Sequence, residues 1–219
     1  MKNIFLFLAL LTLAAGCMLR PERLRSGDLI FVGLPAGYSL ETGSMDEAIT
    51  ASTGEKGQIN LIHVAIAEVQ GDSTWIIDAT IRHGVDRHPL DTFLCDFTLK
   101  DGSLPVLSVK RLKGSYDVDA FVEQAKSFCG LPYDLAFLPD NGALYCTELV
   151  RESYRAADGS YLFENKPMNW KNAEGEYPLY WQQLFARLGS PIPQDVPGTN
   201  PQDMAASPRL ETVTVTLVK

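Results

Sequence analysis

The chain has 219 residues and a formal net charge of −8, and 46% of its residues are hydrophobic. This composition fits one globular domain with a full core, and it contains neither a low-complexity segment nor the basic run expected of a nucleic-acid-binding face. An acidic exterior likewise gives no support for binding anionic lipids through protein charge.

The first 16 residues are predicted to be a signal peptide, because a charged start precedes an apolar run too short to span a bilayer. The sequence LAAGC at 13–17 resembles a bacterial lipobox, in which Cys17 would be lipidated, although Ala14 stands where Leu is usual. An ordinary secretory signal with a nearby cysteine is the alternative. We therefore expect an exported cell-envelope lipoprotein, anchored in the membrane and facing the periplasm or the exterior, with a tether over 17–26 and a single domain over 27–219.

The first elements of the domain are a strand and a short helix. GDLIFVGL, at 27–34, is typical of a core strand that follows a turn. In the polar segment 35–59, Ser44 stands three residues before Glu47, which predicts a helix that begins with a capping box. This segment is long for a plain connection, so we expect it to wall a site.

Two apolar runs then flank a turn and predict a β-hairpin. They are NLIHVAIAEV at 60–69 and STWIIDAT at 73–80, separated by Gly71 and Asp72. The pattern also predicts strands over 83–90 and 104–112 and a helical turn over 91–97 that is capped by Asp91. Strict alternation over 209–219 predicts a closing strand that pairs with an earlier one.

Three longer helices are predicted after the strands, over 117–130, 145–158 and 177–189. The stretch 190–208 is rich in Pro, Gln and Asp and is expected to be irregular. Cys129 falls on the inner stripe of the first helix. Cys95 and Cys129 are therefore expected to be buried packing residues, and a disulfide between them stays open. The whole pattern indicates antiparallel strands with segregated helices, an α+β fold.

Cys146 stands at the predicted start of the second of these helices. A thiol nucleophile needs activation, a base and donors for the developing oxyanion. The positive end of a helix stabilises a thiolate, and its free backbone N–H groups can donate to an oxyanion. Glu148 is expected only to favour the helix start through the dipole. Three cysteines remain after Cys17, and an odd number in an exported chain leaves at least one thiol unpaired.

His63 is the best candidate for the base, because it interrupts an otherwise apolar strand. His83 and His88 lie in polar sequence, which is typical of surface histidines. Asp78 interrupts the partner strand, and the midpoint between residues 63 and 78 falls at the predicted turn. We therefore expect His63 and Asp78 to face each other across the hairpin.

Each of these residues has a purely structural interpretation. A lone cysteine at a helix start usually serves packing, and a strand histidine paired with an aspartate can be a structural hydrogen bond. Their joint occurrence favours catalysis. A metal site is not expected, since the short Cys/His spacing of zinc sites is absent from the sequence.

The segments GDLIFVG, HVAIAEV…WIIDAT and GLPYD…YCTELVRESY together resemble the permuted papain-like cysteine hydrolases, the YiiX/YaeF-like branch of the NlpC-type superfamily. In that branch the histidine strand precedes the cysteine helix, whereas ordinary NlpC-type enzymes have the cysteine helix first. The resemblance covers about residues 26–165. It implies a circularly permuted papain-like fold, with an antiparallel sheet or small barrel packed against helices.

The resemblance also implies roles and a reaction. Cys146 would be the nucleophile, His63 the general base and then acid, and Asp78 the third member. Tyr133 would donate to the oxyanion or line the pocket, with a core tyrosine as the alternative. The implied activity is cleavage of an amide through a thioester, in cell-wall peptides or related amides, by a monomer without cofactors. The alternatives are an acyltransferase acting on lipids or amines and an inactive binding module.

Overall fold

The computed structural model describes residues 22–35, 37–54 and 58–217. Within those residues the strands are β1 Leu29–Leu34, β2 Asn60–Gln70, β3 Ser73–Thr80, β4 Gly84–Pro89, β5 Val106–Leu112, β6 Lys166–Pro167, β7 Pro197–Gly198 and β8 Leu210–Val213. The helices of the same residues are α1 Met45–Thr53, α2 Leu90–Asp96, α3 Val118–Ser127, α4 Cys146–Ser153, α5 Leu179–Leu188 and α6 Pro201–Ala205. The predicted signal peptide and Cys17 lie outside the described residues.

One antiparallel sheet organises the described part of the chain, with six strands in the order β4-β3-β2-β1-β5-β8. The short strands β6 and β7 pair separately. The sheet confirms the predicted hairpin of β2 and β3, the third strand beside it, and the closing strand, which pairs with β5. The predicted α+β class is therefore confirmed.

Helices cover both faces of this sheet. The helices α3, α4 and α6 contact β2, whereas α2 contacts β3 and β4. Because side chains alternate along a strand, Ile66 and Ile77 belong to the core on the α3–α4 side, and Ala65 and Ile76 belong to the core on the α2 side. Each large aliphatic side chain buried in these cores contributes roughly 1.5–3 kcal/mol to folding. Residues of α1 and α5 form a third cluster, which is rich in aromatic rings.

The helix predicted from the capping-box pattern is confirmed, but only the Ser44 half of the box forms, since the Glu47 carboxylate accepts the N–H of Gly43 and not that of Ser44. The hydroxyl of Ser44 accepts the backbone N–H of Glu47, as expected from their spacing. The helix α4 is shorter than predicted, since it ends at Ser153 and the prediction extended to residue 158. The stretch 190–208 is not wholly irregular, because it contains β7 and α6. Asn200 caps α6 through its side chain and Pro201 opens it, a local signal masked by the polar composition around it.

Three expectations about α2 and α3 are wrong. Cys95 and Cys129 are exposed and free, so they neither pack in the core nor form a disulfide with each other. The helical stripe predicted to include Cys129 stops short of it, because α3 ends at Ser127. Asp91 does not cap α2, since the helix begins at Leu90 and Asp91 lies in its first turn.

Gly84 determines how the segment after α3 meets β4. Its φ is +68°, in the left-handed region that favours glycine, and a Cβ atom there would lie 2.3 Å from the carbonyl oxygen of Leu131. That same carbonyl accepts the N–H of Val85 at 2.8 Å. The glycine therefore lets the segment lie against β4, from which the loop 132–144 leads to α4.

The two ends of the described chain lie side by side. Glu22 pairs with Val215, beyond the end of β8, and the N–H of Glu22 donates to the carbonyl of Thr214 at 2.8 Å. The hydroxyl of Ser26 accepts the N–H of Val69 at 2.9 Å. Residues 22–26, the end of the predicted tether, are therefore in contact with the sheet.

Candidate active site

Cys146 is the first residue of α4, as the sequence predicts. Tyr145 occupies the N-cap position but makes no side-chain bond to the helix, so it leaves the N–H groups of the first turn uncapped. Its hydroxyl instead accepts the N–H of Thr199 at 3.1 Å, and the hydroxyl of Thr147 donates to the carbonyl of Thr199 at 2.9 Å. These two bonds fix the start of α4, where Cys146 is only 6% exposed.

His63 lies in β2 beside an irregularity in its pairing with β1. Val32 is opposite His63, but Gly33 is opposite Leu61, so Ile62 has no direct partner across the strand pair. A bulge of this kind bends a strand and changes the direction of its side chains. The strand thus deviates from regular geometry at the position of the candidate base.

The imidazole of His63 connects the two other candidate residues. Its Nε2 lies 2.7 Å from Oδ2 of Asp78, which is 1% exposed, and the ring lies close enough to the thiol of Cys146 for that thiol to raise the pKa of His63. Because Nε2 faces the carboxylate, Nδ1 is the nitrogen left to face the sulfur. The ring of Phe97 packs on the imidazole with centroids 4.6 Å apart. The structure therefore brings Cys146, His63 and Asp78 together.

The predicted register of the hairpin is wrong by two residues. Ile66 pairs with Ile77, so Asp78 falls beside residue 65 and meets His63 diagonally instead of directly. The cause is the turn, which holds two residues and moves the centre of the hairpin by one position. An even shift leaves both side chains on the same face of the sheet, so the contact is kept.

His88 also belongs to this cluster, although the sequence pattern groups it with surface histidines. Its Nε2 lies 3.0 Å from Oδ1 of Asp78, and its side chain is 12% exposed. Unlike His63, it interrupts no apolar run, so periodicity gives no signal. The register of β4 is the signal that would reveal it, because Asp78 pairs with Asp86 and His88 is then a diagonal neighbour. His83 is exposed, as expected.

Hydrogen bonds and neighbouring charges together outweigh burial in setting the pKa values of His63 and Asp78. Burial would lower the pKa of His63, but hydrogen bonds to Asp78 and Cys146 raise it well above its usual value. Burial would raise the pKa of Asp78, but hydrogen bonds from His63 and His88 lower it. The folded protein therefore favours an ionised Asp78 beside a protonated His63.

Glu148 differs from the expectation of a simple dipole contact. It is 8% exposed, and burial first, then the nearby Asp134 carboxylate, raises its pKa to about 8. Among the described residues its Oε2 has no hydrogen-bond partner. At neutral pH the carboxyl is therefore mostly protonated, and it contributes little negative charge to the start of α4.

Tyr133 lies near Cys146 and lines a small cavity beside it. Burial and the proximity of Cys146 raise the pKa of its hydroxyl well above the usual value. The cavity has a volume of about 50 Å³. Residues of α1, which belongs to the segment expected to wall a site, contribute to its walls together with residues of the loop 131–144. Most of the remaining wall is apolar and aromatic, formed by Phe137, Tyr145, Met168, Trp170 and Trp181.

The described residues contain no group of three or more His, Cys, Asp or Glu side chains arranged to hold a metal ion. In the histidine cluster the Nε2 atoms of His63 and His88 both face Asp78, so they are already engaged. None of the described helices has the length and apolar character needed to cross a membrane. The predicted lipidation site, Cys17, lies outside these residues.

Comparison with known proteins agrees with this architecture. A family model for permuted papain-like amidase enzymes, the YaeF/YiiX or C92 family, matches residues 23–214. The chain is 25% identical to YiiX of Escherichia coli K12, a protein described as uncharacterized, over 97% of this chain and 96% of the relative. A crystal structure of YiiX from Escherichia coli O157:H7, described as a metalloprotein, has a TM-score of 0.68 at 23% identity and covers 89% of this chain and 99% of that one. The chain belongs to the permuted papain-like amidase family, a family of papain-like cysteine amidases and peptidases.

Proposed function

We propose that this protein cleaves an amide bond through a thioester intermediate, with Cys146 as nucleophile, His63 as general base and then acid, and Asp78 as the orienting group. The supporting observation is that the imidazole of His63 is hydrogen-bonded to Asp78 and lies beside the thiol of Cys146, which opens a helix. Nucleophile, base and orienting carboxylate in series form the arrangement used by thiol hydrolases.

In the first half of the reaction, His63 accepts the thiol proton of Cys146 on Nδ1, and the thiolate attacks the carbonyl carbon of the substrate. The tetrahedral intermediate collapses as the C–N bond breaks, and His63 gives its proton to the leaving amine. In the second half, water attacks the thioester while His63 takes a proton from it. The carboxylic acid leaves, and the proton returns to the sulfur of Cys146.

The developing oxyanion is stabilised at the start of α4. The backbone N–H of Cys146 belongs to the first turn of the helix, where N–H groups lack intrahelical acceptors. We assign Tyr133 as the second donor, because it lines the same small cavity as Cys146. Donors of this kind act strongly in a site from which water is excluded.

The volume and the wall of the cavity beside Cys146 favour a substrate with a short apolar acyl group. Its volume of about 50 Å³ is small against the roughly 300–1,000 Å³ of typical ligand pockets. The rings of Trp170 and Trp181 meet edge to face with centroids 4.8 Å apart, so the wall is well packed. A small residue such as alanine in a cell-wall peptide fits this space better than a long lipid chain does.

The location of the protein is part of the same proposal. The lipobox-like sequence LAAGC supports export and attachment to the cell envelope through a lipid on Cys17, which brings cell-wall amides within reach. Cys17→Ser should abolish incorporation of labelled palmitate and move the protein from the membrane fraction to the soluble fraction. Unchanged fractionation would contradict lipid anchoring.

Alkylation with iodoacetamide at pH 6.5 tests the nucleophile without knowledge of the substrate. Cys95 and Cys129 are exposed whereas Cys146 is 6% exposed, so access alone predicts that Cys146 reacts last. Pairing with His63 reverses this order, because the thiolate is the reactive form. We expect mass spectrometry to find Cys146 alkylated first, and His63→Ala to remove that preference.

His83→Ala is the matched control for this experiment, because it removes an exposed histidine outside the cluster. It should leave the preference for Cys146 unchanged. Slow and equal alkylation of the three cysteines in the wild type would contradict the proposed nucleophile and would favour an inactive binding module.

An acyltransferase would use the same cysteine and differ only in what accepts the acyl group. The apolar wall beside Cys146 is the observation that favours it, because a short acyl group held against apolar side chains is shielded from water, which leaves an amine to accept it. Adding glycine amide to a reaction with a p-nitrophenyl ester distinguishes the two. A hydrolase gives mainly the free acid, and an acyltransferase gives mainly the new amide.

A further inference from the structure

Asp78 is held from both sides of its strand. The strand β3 lies between β2 and β4, and each neighbour supplies one histidine. Nε2 of His63 lies 2.7 Å from Oδ2, and Nε2 of His88 lies 3.0 Å from Oδ1. The carboxylate is 1% exposed, so these imidazoles replace the water that would otherwise solvate its two oxygens.

A single aromatic side chain from α2 packs beside both imidazoles. The ring centroid of Phe93 is 6.4 Å from that of His63 and 6.4 Å from that of His88, and Phe93 is fully buried. Packing therefore restricts the two rings in addition to their hydrogen bonds. The orientation of one imidazole cannot change freely without disturbing the other.

Removal of His88 would leave Oδ1 of Asp78 buried without its hydrogen bond. An unpaired buried acceptor is costly, so the carboxylate would rotate toward another donor or take up a proton. Either response moves or weakens the bond between Oδ2 and the Nε2 of His63. The orientation of the His63 ring toward Cys146 thus depends on a residue that does not touch Cys146.

We propose that His88 is a positioning residue of the active site, which holds Asp78 so that His63 presents Nδ1 to Cys146. The inference rests on the proposed function, since positioning matters only if Cys146 and His63 react. It adds a fourth member to the series Cys146, His63, Asp78.

His88 also brings charge to the cluster. Burial is the largest single effect and lowers its pKa, but the hydrogen bond to Asp78, the charge of Asp78 and a backbone hydrogen bond of Pro89 together raise it. Asp86, on the same strand, adds to the increase, whereas α2 contributes the uncharged ring of Phe93. When His88 is protonated it shares the negative charge of Asp78, so Asp78 then holds the proton on His63 less firmly than it would alone.

Substitutions can separate the hydrogen bond that His88 makes to Asp78 from the charge that His88 carries when protonated. His88→Gln keeps a neutral N–H donor for Oδ1 but removes the charge, and His88→Leu removes both. His83→Gln is the matched control, because His83 is exposed and lies on the turn before β4. The readouts are the rate of Cys146 alkylation by iodoacetamide at pH 6.5 and the NMR titration of the His63 ring in a Cys146→Ala background.

We expect His88→Leu to slow alkylation of Cys146 by about tenfold, the size expected from leaving one buried acceptor unpaired. His88→Gln should restore the rate to within about threefold of the wild type, because the hydrogen bond is kept. In the NMR experiment His88→Gln should shift the His63 titration to higher pH, because the competing cation is gone. His83→Gln should change neither readout.

A His88→Leu variant that folds and is alkylated at the wild-type rate would overturn the inference. If His88→Leu does not fold, His88→Gln decides alone, and an unmoved His63 titration with a slow rate would show that His88 serves packing only. Failure of the proposed function looks different, because Cys146 would then show no preference over Cys95 and Cys129 even in the wild type.

Discussion

Two buried carboxyl groups near α4 and β3 have opposite electrostatic environments. Asp78 receives one imidazole on each oxygen, and these bonds lower its pKa despite burial. Glu148 has an Oε2 without a partner among the described residues, and burial raises its pKa to about 8. Asp78 is therefore ionised beside His63, whereas Glu148 stays mostly neutral in the turn of α4 that carries Cys146.

Glu148→Gln should change how stability depends on pH. The pKa of Glu148 rises from 4.5 to about 8 on folding, so the folded state binds more protons between these values. Its contribution to stability is therefore present in full below about pH 4.5 and is lost as the pH rises through about 8. Glutamine does not ionise, so urea unfolding at pH 5 and pH 8.5 should show a smaller loss in the variant than in the wild type.

Glu123→Gln is the control for this prediction, because Glu123 is an exposed glutamate on α3. It should follow the wild-type pH dependence. An equally steep decline in Glu148→Gln and wild type would mean that the Glu148 carboxyl is not held neutral in the fold.

The sequence was informative for residues that interrupt a pattern. His63 and Asp78 each break an apolar strand, and Cys146 stands at a helix start, so each could be selected before any contact was known. His88 breaks no pattern, and the neutral state of Glu148 depends on Asp134 and on burial in the folded chain. Such properties arise from tertiary packing and have no local signature.

At the scale of elements, the hairpin β2–β3 and the strand β4 place the two histidines around Asp78. The number of residues in the turn sets the register, and the register decides which diagonal neighbours meet. The sequence predicted both strands and their turn, but it missed the bulge next to His63. A bulge depends on the pairing with β1, and neither strand's own periodicity reveals it.

Gly84→Ala should disturb the connection from α3 to the site. A Cβ at Gly84 would lie 2.3 Å from the Leu131 carbonyl oxygen, and its φ of +68° is unfavourable for alanine. Strain of this kind costs about 1–3 kcal/mol, so the free energy of unfolding in urea should fall by about that amount or more. Movement of the segment that leads to Tyr133 should also slow alkylation of Cys146.

Gly71→Ala isolates the cost of the backbone conformation, because Gly71 has a φ of +59° and its Cβ would meet no atom within 4 Å. It should lower stability less than Gly84→Ala and leave the reactivity of Cys146 unchanged. Equal effects of the two substitutions would show that the contact with Leu131 is unimportant.

At the scale of the molecule, apolar periodicity predicted the α+β class, because it reports on which faces of the strands and helices are buried, and the resemblance to permuted papain-like hydrolases implied the fold. The sequence did not predict the contact between Glu22 and Val215, since the two lie almost a full chain length apart. Long-range pairings of this kind are decided by the completed sheet.

A reordered chain tests how far the site depends on the path of the polypeptide. Joining residue 217 to residue 22 through a short glycine linker and opening the exposed turn between Gly114 and Ser115 gives a chain that begins just before α3. We expect cooperative unfolding in urea and preferential alkylation of Cys146 at pH 6.5, as in the uncut chain 22–217. A loss of either would show that the native connection between β5 and α3 is required.

The pairing of Glu22 with Val215 has an evolutionary consequence. In the reordered chain Cys146 is synthesised before His63, which is the order of ordinary NlpC-type enzymes. Because the N–H of Glu22 already lies 2.8 Å from the carbonyl of Thr214, a gene duplication followed by trimming could convert one order into the other through chains whose ends always meet. The two branches would then share one arrangement of strands and helices and differ only in where the polypeptide begins and ends.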